Sequence, residues 1–178
     1  MFASIAVYLF TNSLSQSWPY PVGDAVEYLL VSEAISKHGS PEVHPEDVQN
    51  FKNEVQKTMG WEGMGKHEVF DEFSHNLETV KFKHMDQTMG FAVSENQKFY
   101  SIHFFTYPLF TVPVKLLLKP FNIHPLKVFF IANALFILTS LYFVLFFFPF
   151  KEIYNCLIAG FFFYSTTQWY MMWPHAEV

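Results

Sequence analysis

Asp24 and Glu27 stand three residues apart at the head of an apolar run, Ala25–Leu30, and this is where residue type and spacing suggest chemistry. An Asp followed three residues later by Glu is the spacing of a helix N-terminal capping box. Backbone N–H groups and the helix dipole stabilise an ionised carboxylate there. Such a group suits a base or a cation ligand better than a proton donor. Tyr28 follows on the same segment, His103 lies among phenylalanines, and His175 and Glu177 close the chain at the end of an apolar run. With Asp24, the last two offer oxygen and nitrogen donors to a divalent metal ion, a chemistry that no spacing fixes here. Lys115 and Lys119 read as side chains reaching for lipid headgroups. His67, His75 and His84 form no HExxH or other i, i+4 pair and read as surface residues.

The elements that must position these groups follow from periodicity. In Pro21–Gly39, Val26, Leu29, Leu30 and Ala34 share a helical face, and Gly39 then Pro41 supply a stop. Met1–Phe10 is apolar but too short to span, and is expected to be the tail of a first transmembrane helix rather than a signal peptide, since no basic region precedes it. Gly39–Lys98 holds most of the sixteen acidic residues and reads as an aqueous excursion, partly irregular, with one amphipathic helix over Pro45–Met59 placing Val48, Phe51 and Val55 inward. Phe104–Leu118 is apolar, short and twice broken by proline (Pro108, Pro113), as for a helix lying in the membrane interface. Leu126–Phe148 and Ile153–Trp173 are long enough to cross as an antiparallel hairpin, the second ending in the aromatic belt Trp169, Tyr170 and Trp173.

Composition narrows the classes. Of 178 residues, 23 are Phe, a load that hydrocarbon tolerates better than water. Net charge is −5, which argues against nucleic acid as a partner. Every basic side chain is a lysine, so a bound phosphate meets ammonium, imidazole or backbone N–H rather than a guanidinium fork. Cys156 alone excludes an intrachain disulfide and a CxxC zinc site. Topology signals conflict. Lys115, Lys119 and Lys127 would be cytoplasmic by the positive-inside rule, whereas a surface-lying Phe104–Leu118 puts them outside.

The expectation is therefore an all-α, polytopic helical membrane protein fragment. Residues 1–11 end a first transmembrane helix, 12–98 form an extracytoplasmic loop with the acidic motif, and 99–125 are juxtamembrane. The hairpin is 126–173, and 174–178 begin an outer loop at which the sequence breaks off. Gly23-Asp24 with Glu27-Tyr28, Tyr107-Pro108-Leu109, Asn122 ahead of the first full span, and Trp173-Pro174-His175-Ala176-Glu177 follow one another in an order that resembles the N-terminal third of the GT-C superfamily. These are membrane glycosyltransferases using polyprenyl-phosphate sugars, among them protein mannosyltransferases and the aminoarabinose transferase of lipid A.

The resemblance implies an enzyme of the bacterial inner membrane with its site on the outer side. It would transfer a sugar from a lipid-linked donor in the bilayer to an extracytoplasmic acceptor. It implies Asp24, Glu27 and Glu177 as catalytic carboxylates, with Asp24 the base, and Tyr28, His103 and His175 as substrate-binding residues. Relatives often carry adjacent acids where this chain has Asp24-Ala25, so Glu27 either stands in for the second carboxylate or only closes the cap. Relatives with a lysine before the Pro-Leu differ from this chain, which has Ser101-Ile102-His103 and Thr106 there. Two other classes remain. One is a non-catalytic membrane anchor whose outer segment binds a partner. The other is part of a transporter, disfavoured because neither full span carries an interior charge.

Overall fold

A computed structural model describes residues 2–15, 25–58, 67–79, 87–88, 90–103 and 105–164. The chain is mostly helical. In order it forms α1 (Phe2–Ser15), α2 (Ala25–His38), β1 (Glu42–Val43), α3 (Pro45–Thr58), α4 (His67–Thr79), β2 (Gln87–Thr88), β3 (Phe91–Val93), β4 (Phe99–Ser101), α5 (Thr106–Leu118), a 3-10 turn over Lys119–Phe121, α6 (Pro125–Phe147) and α7 (Glu152–Tyr164). These fall into two units, Tyr20–Val128 and the pair of segments Met1–Pro19 with Phe129–Val178.

In the Tyr20–Val128 unit, α2 is the central element. Its sequence AVEYLLVSEA offers no polar stripe wide enough to face water, and every residue from Ala25 to Ala34 is buried. It packs against α5, α3, β1 and β4. Gly39 takes φ +72°, the left-handed C-terminal cap, and its N–H returns to Ile35 O at 3.0 Å. On α3, Val48, Phe51 and Val55 are buried, and Phe51 meets Phe70 of α4 at 5.1 Å between ring centroids. Phe73 of α4 stacks on Phe91 of β3 at 5.2 Å.

Within the segment expected as a partly irregular excursion, helix α4 and short strands accompany the expected α3. Four antiparallel strands form a small sheet in the order β1-β4-β3-β2, with Val43 and Val93 both paired to Phe99, and Ala92 paired to Tyr100. The tight turn joining β3 to β4 closes through Ser94 N–H to Lys98 O at 2.9 Å, with Gln97 at φ 59°.

Helix α5 runs through Pro113; Pro108 sits in its first turn, where a missing N–H is harmless. One face, with Tyr107, Thr111 and Val112, is buried, while Leu109, Phe110, Leu116 and Leu117 are open. Lys115 departs from the headgroup expectation. It turns inward, donates to the fully buried Glu33 of α2, and lies 3.4 Å from Glu54 of α3. Burial pushes the Glu33 carboxyl above its usual range, and Lys115 opposes that shift.

The other unit is built from α1, α6 beyond Val128, and α7. Leu9, Ala134, Ile137, Leu138, Leu141, Ala159 and Phe163 form its core. Ser13 Oγ lies 2.9 Å from Leu9 O and 3.3 Å from Phe130 O, so its hydroxyl is satisfied inside the apolar packing. The outer surface is also apolar: Tyr142, Phe143, Phe146, Phe147, Leu157 and Phe161 are exposed. Among the described residues α6, with 23 residues, is the helix long and apolar enough to cross a membrane. Helix α7 is described as far as Tyr164, so the remainder of the expected second span, with its aromatic belt, lies outside the described residues.

His124 caps α6, its Nδ1 accepting the Leu126 N–H at 3.2 Å. Burial, with a smaller push from Lys127, lowers its pKa from 6.5 to about 4. The folded chain thus resists a proton that the unfolded chain accepts. Stability is full above pH 6.5 and is lost as pH falls towards 4, by roughly 3 kcal/mol in all. Thermal melts across this range should slope downward in the parent and less in His124→Asn, which keeps a capping acceptor. Parallel profiles would remove His124 as the cause.

Candidate functional site

The first turn of α2 brings Glu27 to the end of β4. Its side chain is 1% exposed and is met by three donors from residues far along the chain. Ser101 Oγ donates to Oε1, the His103 backbone N–H reaches Oε1 at 3.1 Å, and His103 Nδ1 lies 2.7 Å from Oε2. Ser101 and His103 are held to one another as well, the His103 N–H lying 3.1 Å from Ser101 Oγ. The strand end therefore presents a preformed set of donors to a carboxylate that burial would otherwise penalise.

Gly90 makes room for this. It sits at φ +85°, and a Cβ there would lie 2.4 Å from Glu27 Oε2. Its carbonyl accepts the Ile102 N–H at 2.9 Å, fixing the turn before β3 against the segment after β4. Tyr28, next to Glu27, turns its ring edge-on to His103 at 6.2 Å and to Tyr107 at 5.5 Å.

Three of the residues singled out from the sequence, Glu27, Tyr28 and His103, are thus gathered at one place. Asp24, His175 and Glu177 lie outside the described residues. Glu27 has a tertiary role that the capping-box spacing does not reveal. Ser101 and Gly90 were not singled out. Only the mirror-image backbone freedom of glycine hinted at a special turn, and nothing local to Ser101 marks a partner 74 residues away.

Chemically, a buried carboxylate on Nδ1 fixes the imidazole's orientation. When Nδ1 carries the proton, Nε2 is left as the acceptor, and the carboxylate stabilises the imidazolium once Nε2 is protonated. His103 keeps a side chain 40% exposed, so the ring is accessible for proton transfer or for contact with an anionic group.

Two further clusters belong to the same unit. Lys57, Lys115, Lys119, Glu54 and Asn122 line a recess of about 150 Å³ with Leu118, Ile123 and Val128 on its apolar side. At the junction of α2 and α3, His38 Nε2 lies 3.0 Å from Asp47 Oδ2, which also accepts the His44 backbone N–H at 2.8 Å. The His38 and His44 rings stack at 4.6 Å, and His44 Nε2 is 3.0 Å from Glu42 Oε1. Lys98, through its hydrogen bond, holds the Glu42 carboxyl below the usual carboxylate range, with His44 adding to the effect.

Gly39 and Gly90, both left-handed, separate backbone strain from crowding. Gly39→Ala meets open space and should cost about 1 kcal/mol from strain alone. Gly90→Ala adds displacement of the Glu27 carboxylate from its donors, and should cost at least ~3 kcal/mol. Thermal or urea unfolding of both variants measures the gap, and equal losses would mean that Glu27 is not held where the geometry puts it.

No protein-family profile, curated protein or solved structure matches this chain.

Proposed function

We propose that this chain is part of a GT-C-like membrane glycosyltransferase that moves a sugar from a polyprenyl-phosphate donor to an acceptor on the non-cytoplasmic side. The observation that carries the reading is the Glu27–His103 pair at the first turn of α2, three residues after Asp24 in the chain. An acidic helix start with a carboxylate-oriented imidazole beside it is a suitable proton-handling group for acyl-free group transfer at a membrane surface. The apolar exterior of α1, α6 and α7, and the length of α6, support a bilayer setting. The open apolar face of α5 supports an interfacial position for that helix.

In this reading Asp24 takes the proton of the acceptor hydroxyl as its oxygen attacks the anomeric carbon. The bond from that carbon to the lipid phosphate breaks, and its electron pair leaves on the phosphate. His103, oriented by Glu27 and carrying a proton on Nε2 as well, donates that proton in a hydrogen bond to the departing phosphate, and Tyr28 packs edge-on against the imidazole.

A transfer assay on the protein in its native membrane, with a polyprenyl-phosphate sugar as donor, tests the proposal. Asp24→Asn keeps a good helix cap, so abundance and melting should hold while turnover falls by ~10²-fold or more. Glu27→Gln should lower turnover by a smaller factor, since it retains an acceptor for Ser101 and the His103 N–H. Near-normal turnover in Asp24→Asn would overturn the assignment of the base, and absence of transfer by the parent would favour an anchor that binds a partner.

A further inference from the structure

We propose that His38, His44 and Asp47 form a site for a divalent transition-metal ion of the zinc class. This inference is independent of the reading above, because none of these residues takes part in it. The three come from the last turn of α2, the residue before Pro45, and the first turn of α3, and one donor atom from each lies within 4.8 Å of the others. Tetrahedral ligands at zinc bond lengths stand ~3.3 Å apart, so small side-chain movements would close the set. Glu42, 3.0 Å from His44 Nε2, is a fourth donor at hand.

Helix capping accounts for only half of Asp47. Its Oδ2 closes the start of α3 by accepting the His44 N–H, as the third residue of a capped helix does. Its Oδ1 is buried with no hydrogen-bond partner among the described residues, and Asp47 is 0% exposed. A buried carboxylate oxygen without a donor is costly, and a bound cation is one of the few groups that relieves it.

The imidazoles point the same way. Their rings lie side by side, 13° from parallel with centroids 4.6 Å apart, so two nitrogen ligands are already gathered beside the Asp47 carboxylate. Glu42 and Glu46 flank His44 and make the surroundings favourable to a cation, with Lys98 engaged on the other oxygen of Glu42. Two imidazole nitrogens with carboxylate oxygen select zinc-class ions over magnesium, which prefers an all-oxygen shell. Bound metal would staple the end of α2 to the start of α3 across the Gly39–Pro41 turn.

The whole protein, purified in detergent and stripped with chelator, is titrated with zinc chloride, and bound metal is counted after equilibrium dialysis. The double variant His38→Gln with His44→Asn keeps a capping residue before Pro45 and should bind one zinc ion fewer per chain than the parent. Zinc should raise the parent's melting temperature more than the variant's, and magnesium chloride should raise neither. Cobalt(II) gives a reading on the parent alone: intense visible bands are expected for a four-coordinate site, and only the weak bands of six-coordinate cobalt would overturn the proposal. Equal zinc counts in parent and variant, or equal stabilisation by magnesium, would overturn it as well.

Discussion

A carboxylate removed from water has to be met by donors, and the way Glu27 is met sets the geometry of its surroundings. With no arginine in the chain, the donors are a hydroxyl, a backbone N–H and an imidazole, all from the three residues Ser101 to His103. That fixes α2 against the end of β4. Strand β4 in turn aligns β1 through Val43 and Phe99, and β1 delivers His44 and Asp47 to the start of α3. Gly90 completes the constraint by leaving no side chain beneath the carboxylate. The Glu27 contacts thus tie the first turn of α2 to the end of the sheet in which β1 and β4 are neighbours.

The second charged tie works differently. Glu33 and Lys115 hold α5 on α2 from inside, with Glu54 of α3 sharing the ammonium. Thr111 reinforces the same seam by donating to Ser32 Oγ at 3.1 Å. Because the polar groups of α5 are spent inward, its outward face is left to Leu109, Phe110, Leu116 and Leu117. An apolar surface on this helix is thus a by-product of where its charge had to go.

Much of the helical layout was legible. The inward face of α3, the stop at Gly39 and the start at Pro45 follow from spacing that any soluble or membrane helix would share, whereas α2, expected to bury one face, is buried all round from Ala25 to Ala34. The sheet was not legible, because strands of two or three residues are too short to show alternation, and acidic residues and glycines around them read as loop. Of the site, the acid and imidazole types at Glu27 and His103 stood out, but their pairing did not, since no local pattern encodes a bond over 76 residues. Lys115 misled for a related reason. A lysine on an apolar helix is expected to reach for water or phosphate, and only the fold reveals that a buried Glu33 waits for it.

The packing of α1 carries a consequence for how the chain is made. Ser13 finds the carbonyl of Phe130 across 117 residues, and the core around Leu9 is completed by α6 and α7. During synthesis α1 therefore emerges long before its partners and must persist without them. Closing so long a span costs roughly 4 kcal/mol of chain entropy, yet doubling its length would add only about 0.6 kcal/mol. What lies between α1 and α6 is largely a folded unit with its own core, so that unit can form while α1 still waits for α6 and α7.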